Sequence, residues 1–241
     1  MKISVIVPAY NEERLLPATL ASIRAAMAVF DARGWLSELI VCDNNSSDRT
    51  AAVAAACGAT VVHEPVNQIA RARNTGAAAA SGDWLVFVDA DSCPSTSLFA
   101  AVADQIAGGR CLAGGSTVRF DVSPLPGRVA VAAWNALSRV TRWAAGSFIF
   151  CDAAAFRRAG GFSEALYAAE EIDLFRRLKR LARTARRSVV ILHRTPLVTS
   201  ARKMHLYRWH EGLWFMCRTI ARGGRTLRSS KECFAWYDGR R

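Results

Sequence analysis

Val86–Phe87–Val88–Asp89–Ala90–Asp91 sets two carboxylates two residues apart, directly after a short apolar run. Carboxylates at i and i+2 just past a buried strand can present oxygens to one hard cation. Mg²⁺ or Mn²⁺ prefers such ligands and usually also takes substrate phosphate oxygens. On residue types alone, a strand end with turn-forming aspartates is nearly as good a reading. A Walker-B-like strand is a third, but it needs a phosphate loop, and no GxxxxGK[ST] occurs in the chain. Asp43 also ends an apolar run, Glu38–Cys42. A carboxylate there can accept hydrogen bonds from a nucleobase imide or a ribose; in isolation it reads as a loop residue or helix cap. Arg71 and Arg73 precede Asn74–Thr75–Gly76 at the start of a helix. Arginine there can meet phosphate, with a solvated helix face as the equal alternative. Glu170, Glu171 and Asp173 crowd the first turn of another helix. Residues i and i+3 share a face, so Glu170 and Asp173 are neighbours and Glu171 points roughly 100° away. The helix dipole favours the anions and lowers their basicity, so a working base there needs partial burial.

The elements that must position these groups follow from hydrophobic period and breakers. Lys2–Val7, Glu38–Cys42, Thr60–His63 and Trp84–Val88 read as short buried strands. Between them, residues 13–29, an Ala-rich stretch to about Cys57, and residues 68–81 read as helices. Ser46 or Ser47 is the expected cap of the second helix. The order β-α-β-α-β-α-β predicts an α/β fold with a mainly parallel, Rossmann-like sheet and helices on both faces. Ligands in such sheets bind beyond the carboxyl ends of the strands. Tyr10–Asn11–Glu12, Asp43–Asn44–Asn45 and Asp89–Ala90–Asp91 therefore belong along one edge. In the second half, helices are expected at 95–107, 128–145, 153–158 and 170–183. Strands are expected at 111–119 and 148–151, with a strand pair over 188–200.

Composition narrows the partners. The chain of 241 residues is 51% hydrophobic and 22% charged, which is globular composition with room for one sizeable core. No run approaches the ~18 uncharged apolar residues of a membrane span. The first apolar run stops at Pro8 and is followed by Asn11, Glu12 and Glu13, unlike a signal peptide. Seven scattered cysteines without CxxC fit reduced thiols and a cytoplasmic location. The net charge of +12 is uneven. Residues 1–175 hold 14 Lys/Arg and 17 Asp/Glu, a net of −3, and residues 176–241 hold 18 and 3, a net of +15. That basic quarter suits a phosphorylated substrate, peripheral contact with an anionic inner membrane face, or simply a solvated surface. Within it, Met204–Arg222 reads as an amphipathic basic-aromatic helix. Packing on the domain or in a homodimer is the slightly favoured alternative to membrane contact. No specific nucleic acid is expected. A dehydrogenase is disfavoured by the absence of GxGxxG. A nucleotidyltransferase is disfavoured because Pro–Ala–Tyr–Asn–Glu–Glu stands where its basic Gly-rich loop belongs.

Taken in order, these segments resemble a family-2 glycosyltransferase of the GT-A fold. Ile6–Glu13, Val41–Thr50, Ala70–Gly76 with Ala80–Asp83, and Phe87–Asp91 are similar to that family's successive donor-site motifs. Gly160–Gly161–Phe162 followed by Glu170–Glu171–Ile172–Asp173–Leu174 is similar to its acceptor-site segment. The matches span residues 3–181. The resemblance implies an inverting, divalent-metal-dependent transfer of a sugar from a nucleoside-diphosphate-sugar to an acceptor hydroxyl or phosphate. It implies that Pro8, Tyr10, Glu12 and Asp43 hold the nucleoside, and that Arg71 or Arg73 approaches the diphosphate. Asp89 would contact ribose or metal, Asp91 would ligate Mg²⁺ or Mn²⁺, and Glu171 would be the base. Residues 1–110 would form the donor half, 111–200 the acceptor half, and 201–241 a basic appendage. Two departures stand out. Glu170–Glu171 replaces the usual Glu–Asp, so the base reaches one methylene further. Leu197–Arg202 carries no histidine where many members have a metal ligand, and His193, His205 and His210 do not align with that place. In one soluble subgroup with a similar Thr-Ser-x-Arg stretch, Arg202 or Lys203 would hold the diphosphate instead.

Overall fold

In the computed structural model, residues 1–121, 125–200, 214, 218–219 and 222–233 are described. The strands are β1 (Lys2–Ala9), β2 (Leu36–Asp43), β3 (Thr60–His63), β4 (Trp84–Val88), β5 (Ser92–Cys93), β6 (Cys111–Phe120), β7 (Phe148–Asp152) and β8 (Ser188–Thr199). The helices are α1 (Leu16–Asp31), α2 (Thr50–Ala56), α3 (Ile69–Ala79), α4 (Thr96–Ala107), α5 (Leu125–Thr141), α6 (Ala153–Ala159) and α7 (Glu170–Thr184). One eight-stranded sheet runs in the order β3-β2-β1-β4-β7-β6-β8-β5.

Strict period-2 alternation explains why the central strands are buried on both faces. Ile3, Val5 and Val7 of β1 enter one core and Ile6 the other. Trp84, Val86 and Val88 of β4 face the first core, Leu85 and Phe87 the second. In β7, Phe148 and Phe150 face the first core, Ile149 and Cys151 the second. The first core is closed by α1 and α4, the second by α3, α6 and α7. Phe87 makes an edge contact with Phe162 at 5.2 Å and lies 5.4 Å from Phe156, so β4 is locked to the segment that leads into α7.

The expected parallel sheet holds for β3, β2, β1 and β4. Strand β7 then runs antiparallel to both β4 and β6. The expected strand pair over 188–200 is instead the single strand β8, parallel to β6, with β5 antiparallel on its outer edge. The reason is that Leu197–Thr199 resume pairing with β6 past the register shift that contains Pro196, so no turn forms. The expected Ser46/Ser47 cap is also corrected. Helix α2 starts at an Arg49 N-cap with no side-chain cap; Asp48, one residue earlier, accepts from the Thr50 backbone N–H at 2.9 Å, while Ser46 and Ser47 bond Asn11. The amphipathic segment expected at Met204–Arg222 lies outside the described residues except at positions 214, 218, 219 and 222. Among the described residues, no helix is long and apolar enough to cross a membrane.

Candidate active site

The carboxyl ends of β1, β2 and β4 meet at one edge, as the strand order requires. Register sets Asp43 opposite Ala9 on one side and His63 on the other. Pro8 falls past the last β1–β4 pair, Ile6↔Phe87, so its missing N–H interrupts no ladder there. The chain then turns at Asn11, which adopts φ 52°. Its side-chain oxygen accepts from Ser47 N–H at 2.8 Å, and its own N–H donates to Ser46 Oγ at 3.0 Å. Glu12 is buried, and its N–H donates to Thr50 Oγ1 at 2.8 Å. The two loops that follow β1 and β2 are thereby fixed to each other, with Tyr10 half-buried beside them.

Asp43 is 6% exposed. Its Oδ2 lies 3.3 Å from His63 Nδ1, and its Oδ1 is buried with no hydrogen-bond partner. A buried carboxylate oxygen without a donor is costly unless a ligand supplies one. The next residue, Asn44, spans the gap to α3. Its amide donates to Val66 O at 2.6 Å and accepts from Gln68 N–H at 3.0 Å.

Helix α3 joins the two halves of the chain. Gln68 donates to the carbonyls of Glu164 and Leu166, at 2.8 and 2.9 Å. Asn74 exchanges hydrogen bonds of 2.9 Å with the backbone of Phe162. Gly161 (φ 67°) is required there, because an added Cβ would stand 2.7 Å from the Asn74 side-chain oxygen. Arg71 bridges Glu64 at 3.3 Å and Glu164 at 2.7 Å, partly exposed.

Arg73 is 1% exposed and committed differently from the diphosphate contact expected of it. Its Nη1 donates to Glu170 at 2.6 Å, and its Nη2 to Asp89 at 3.0 Å and to Gly146 O at 2.8 Å. Its guanidinium also sits 5.2 Å over the Phe162 ring. Burial works against this charge, but Asp89, Glu170 and Glu171 outweigh it and hold the pKa above the usual guanidinium value. Three elements are pinned at one point: the end of β4, the loop before β7 and the start of α7.

The three carboxylates at that helix start separate cleanly. Glu170, 4% exposed, is taken by Arg73. Asp173 pairs with Arg177 at 2.6 Å, and Arg177 also donates to the carbonyls of Ala159 and Gly161. Glu171 is left without a hydrogen bond or ion pair to another described residue. Burial, then the Glu170 charge, pushes it up to about 8, against the pull of Arg73. The residue before the helix, Ala169, sits at φ 62°, a left-handed conformation that costs a non-glycine residue ~1 kcal/mol or more.

Asp89 and Asp91 follow β4 as expected, half-buried at the same edge. Asp89 keeps one oxygen on Arg73. Asp91 O accepts from Ser200 N–H at 3.1 Å. The end of β8, where a histidine is often found in the family that the motifs resemble, thus lies against Asp91. Here it presents Thr199 and Ser200, and Thr199 Oγ1 accepts from Ser92 Oγ at 2.9 Å. Among the described residues, no group of three or more His, Cys, Asp or Glu side chains could hold a metal. Two carboxylates still fit Mg²⁺ or Mn²⁺, which commonly keeps waters and substrate phosphate as its other ligands. His193 is exposed in β8; His205, His210, Arg202 and Lys203 lie outside the described residues.

Several positions escaped the sequence reading. His63 ends β3 as Asp43 ends β2, so its strand-end position was the available signal. The Gly146 carbonyl carried no signal, because only the fold brings the loop before β7 to Arg73.

The carboxyl edge of a doubly wound sheet is thus joined to an acidic helix start, and comparison with known proteins gives this arrangement a family. The profile described as glycosyl transferase family 2 matches residues 4–162. The chain belongs to that family. An uncharacterized glycosyltransferase of Mycobacterium tuberculosis is 40% identical over 89 residues, 37% of this chain and 36% of the relative. A TPR repeat-containing protein of Synechococcus elongatus is 37% identical over 91 residues, 37% of this chain and 20% of the relative. These matches span well under two thirds of either relative. Among solved structures, Staphylococcus aureus TarS (residues 1–349) superposes with a TM-score of 0.64 at 22% identity, over 84% of this chain and 61% of that one. Glucosyl-3-phosphoglycerate synthase of M. tuberculosis, solved with Mn²⁺, UDP and phosphoglyceric acid, superposes with a TM-score of 0.59 at 24% identity, over 91% and 76%. At these identities the likeness establishes the fold.

Proposed function

We propose that the chain is an inverting, divalent-cation-dependent glycosyltransferase that moves a sugar from a nucleoside-diphosphate-sugar to an acceptor. The observation that carries this reading is the Arg73 clamp. It holds Asp89 of the sheet edge and Glu170 at one guanidinium, which would aim Glu171 at the same site. Asp43 Oδ1 would accept from the nucleobase, which gives its unpartnered oxygen a donor, with Pro8, Tyr10 and Glu12 completing the nucleoside wall. Asp91 and Asp89 would hold Mg²⁺ or Mn²⁺, which when bound would neutralise the diphosphate leaving group. Mn²⁺ with UDP in the mycobacterial synthase supports the pairing of cation and nucleotide. Arg73 then acts as a positioning residue rather than a phosphate ligand.

In the reaction, Glu171 accepts the proton of the acceptor hydroxyl. The hydroxyl oxygen bonds to the anomeric carbon while that carbon's bond to the diphosphate oxygen breaks, and the nucleoside diphosphate leaves. Glu171 matches the task because its raised pKa lets it take a proton near neutrality. The direct test is a thermal-shift screen of UDP and GDP with Mn²⁺ or EDTA. A ligand at about 100 times its dissociation constant adds roughly 2.7 kcal/mol. A shift that needs Mn²⁺ and is lost in Asp91→Asn is expected. Equal shifts with Mn²⁺ and with EDTA would sink the cation assignment.

A further inference from the structure

A cavity of about 620 Å³ lies beside the helix that carries Glu171. Its walls come from Trp143, from Ala169, Ile172, Asp173 and Arg176 of the α7 region, and from the turn Gly223–Arg228. That turn is held in place by Leu227 O, which accepts from Tyr167 N–H at 2.7 Å. Three arginines line the cavity: Arg176, Arg225 and Arg228. None forms an ion pair among the described residues, whereas Arg33, Arg71, Arg73, Arg177, Arg187, Arg218 and Arg222 all do. The carboxylate in the wall, Asp173, is already bonded by Arg177. The Arg176 guanidinium and the Lys179 ammonium lie over the Trp143 ring at 5.3 and 5.5 Å. The Trp143 indole N–H is buried without a hydrogen-bond partner. Cation crowding registers on Lys179, whose pKa is lowered by burial and then by Arg183, Arg176 and Arg142.

We propose that this cavity binds a phosphoryl group of the acceptor, through Arg176, Arg225 and Arg228. Guanidiniums converging from two elements can share the several oxygens of a phosphate, which one carboxylate supplies less well. The cavity touches the first turn of α7 at Ala169, Ile172 and Asp173, at the same helix end that carries Glu171. The inference rests on the transferase reading above. It gives the free arginines of the basic C-terminal quarter a ligand.

The test is calorimetric titration of the full chain with inorganic phosphate, with saturating UDP or GDP and Mn²⁺ occupying the donor edge. Phosphate should bind the wild type. Arg176→Gln, and separately Arg225→Gln with Arg228→Gln, should each weaken it about 10-fold or more, as expected for lost charge-assisted hydrogen bonds. Arg157→Gln with Arg158→Gln, two exposed arginines of α6 outside the cavity, should leave it within about 2-fold. Co-sedimentation with phosphatidylcholine vesicles, with and without phosphatidic acid, separates the sources. Retention on phosphatidic acid that the cavity variants lose assigns a lipid phosphate, and phosphate binding without retention assigns a soluble phosphoester. Intact donor binding with no phosphate binding overturns the cavity proposal alone, as does equal weakening by the α6 pair. Failure of the wild type to bind UDP or GDP with Mn²⁺ overturns the transferase reading instead.

Discussion

Two polar clusters at opposite ends of the sheet, one around Glu38 and one around Asp43 and Arg73, treat their buried groups in opposite ways. At the amino end, Glu38 accepts from Ser4 Oγ at 2.6 Å and from Ser81 N–H at 2.8 Å, and pairs with Lys2 at 2.7 Å. Burial alone would raise its pKa, but the hydrogen bonds of Lys2, Ser4 and Ser81 outweigh it and hold it at about 2. At the carboxyl end, Asp43 Oδ1 and Arg73 Nε lack partners, Glu171 is pushed up to about 8, and Asn11, Asn45 and Ala169 adopt positive φ. The same strands run into both ends, so the contrast does not come from the scaffold. The satisfied Glu38 cluster serves stability, and the unpartnered Asp43 oxygen is where the proposed ligand would supply the missing donor.

The sharpest way to break that comparison is Glu171→Gln. Donor binding and its Mn²⁺ dependence should persist while turnover falls by ~10²–10⁴-fold, the range of a general base. In the wild type, turnover should rise with pH through the region near 8, as Glu171 loses its proton. The stability sign is opposite. Between its ordinary value of 4.5 and about 8, Glu171 keeps a proton that the unfolded chain has released. Its contribution is therefore full below 4.5 and lost as pH rises through 8. Glu171→Gln should flatten that fall in melting temperature. Normal turnover in Glu171→Gln with a dead Glu170→Gln would transfer the base to Glu170.

Arg73→Met should be nearly as damaging, but to the fold. It leaves Glu170 buried without its cation, and breaking a buried pair from one side costs ~3–5 kcal/mol. Urea denaturation should show that loss, and Arg73→Met with Glu170→Leu should recover much of it. If the single variant melts like the wild type, Arg73 is not the clamp, and a diphosphate contact becomes the better reading of its charge.

Arg73 also shows where the sequence stops being legible. Positions 71 and 73 lie roughly 200° apart around α3, so one must face inward and the other outward. Which one faces inward depends on Glu170, Asp89 and Gly146, and two of these are far away in the chain. The four early strands could be read directly, because their apolar runs are short, continuous and closed by polar residues. β8 could not, because Pro196 and the exposed His193–Arg194 break its apolar run while backbone pairing with β6 continues. Of the carboxylates at the start of α7, helical geometry alone separates Glu171 from the other two. That Glu170 is consumed by Arg73 and Asp173 by Arg177 required the packed structure.

At the satisfied end, Glu38→Gln should cost ~1–3 kcal/mol at neutral pH, allowing for partial exposure of the pair. A depressed carboxylate contributes fully above its unfolded value of 4.5, and that contribution is lost as pH falls toward about 2. Wild type and variant should therefore converge in melting temperature on acidification. Glu38 and Glu171 thus predict opposite pH slopes from opposite ends of one sheet. A difference between wild type and Glu38→Gln that stays constant from pH 7 to pH 2 would mean the network is not holding the carboxylate ionised.

The smallest effect tests whether strain belongs to the ligand-binding end. Ala169 holds φ 62° immediately before Glu170, with no side-chain cap on the helix. Glycine adopts that conformation freely, which relieves ~1 kcal/mol of strain, but it gives back ~0.5–1 kcal/mol as unfolded-chain entropy. Ala169→Gly should therefore raise stability by a few tenths of a kcal/mol at most. A β-branched side chain is worse than alanine at positive φ. Ala169→Val should lower stability by ~1–2 kcal/mol and displace the first turn of α7, with a loss of turnover beyond what unfolding explains. The order Gly, Ala, Val in melting temperature is the expected outcome. If Val melts at or above Ala, position 169 is not in the left-handed region, and α7 begins without the strained turn that aims Glu171.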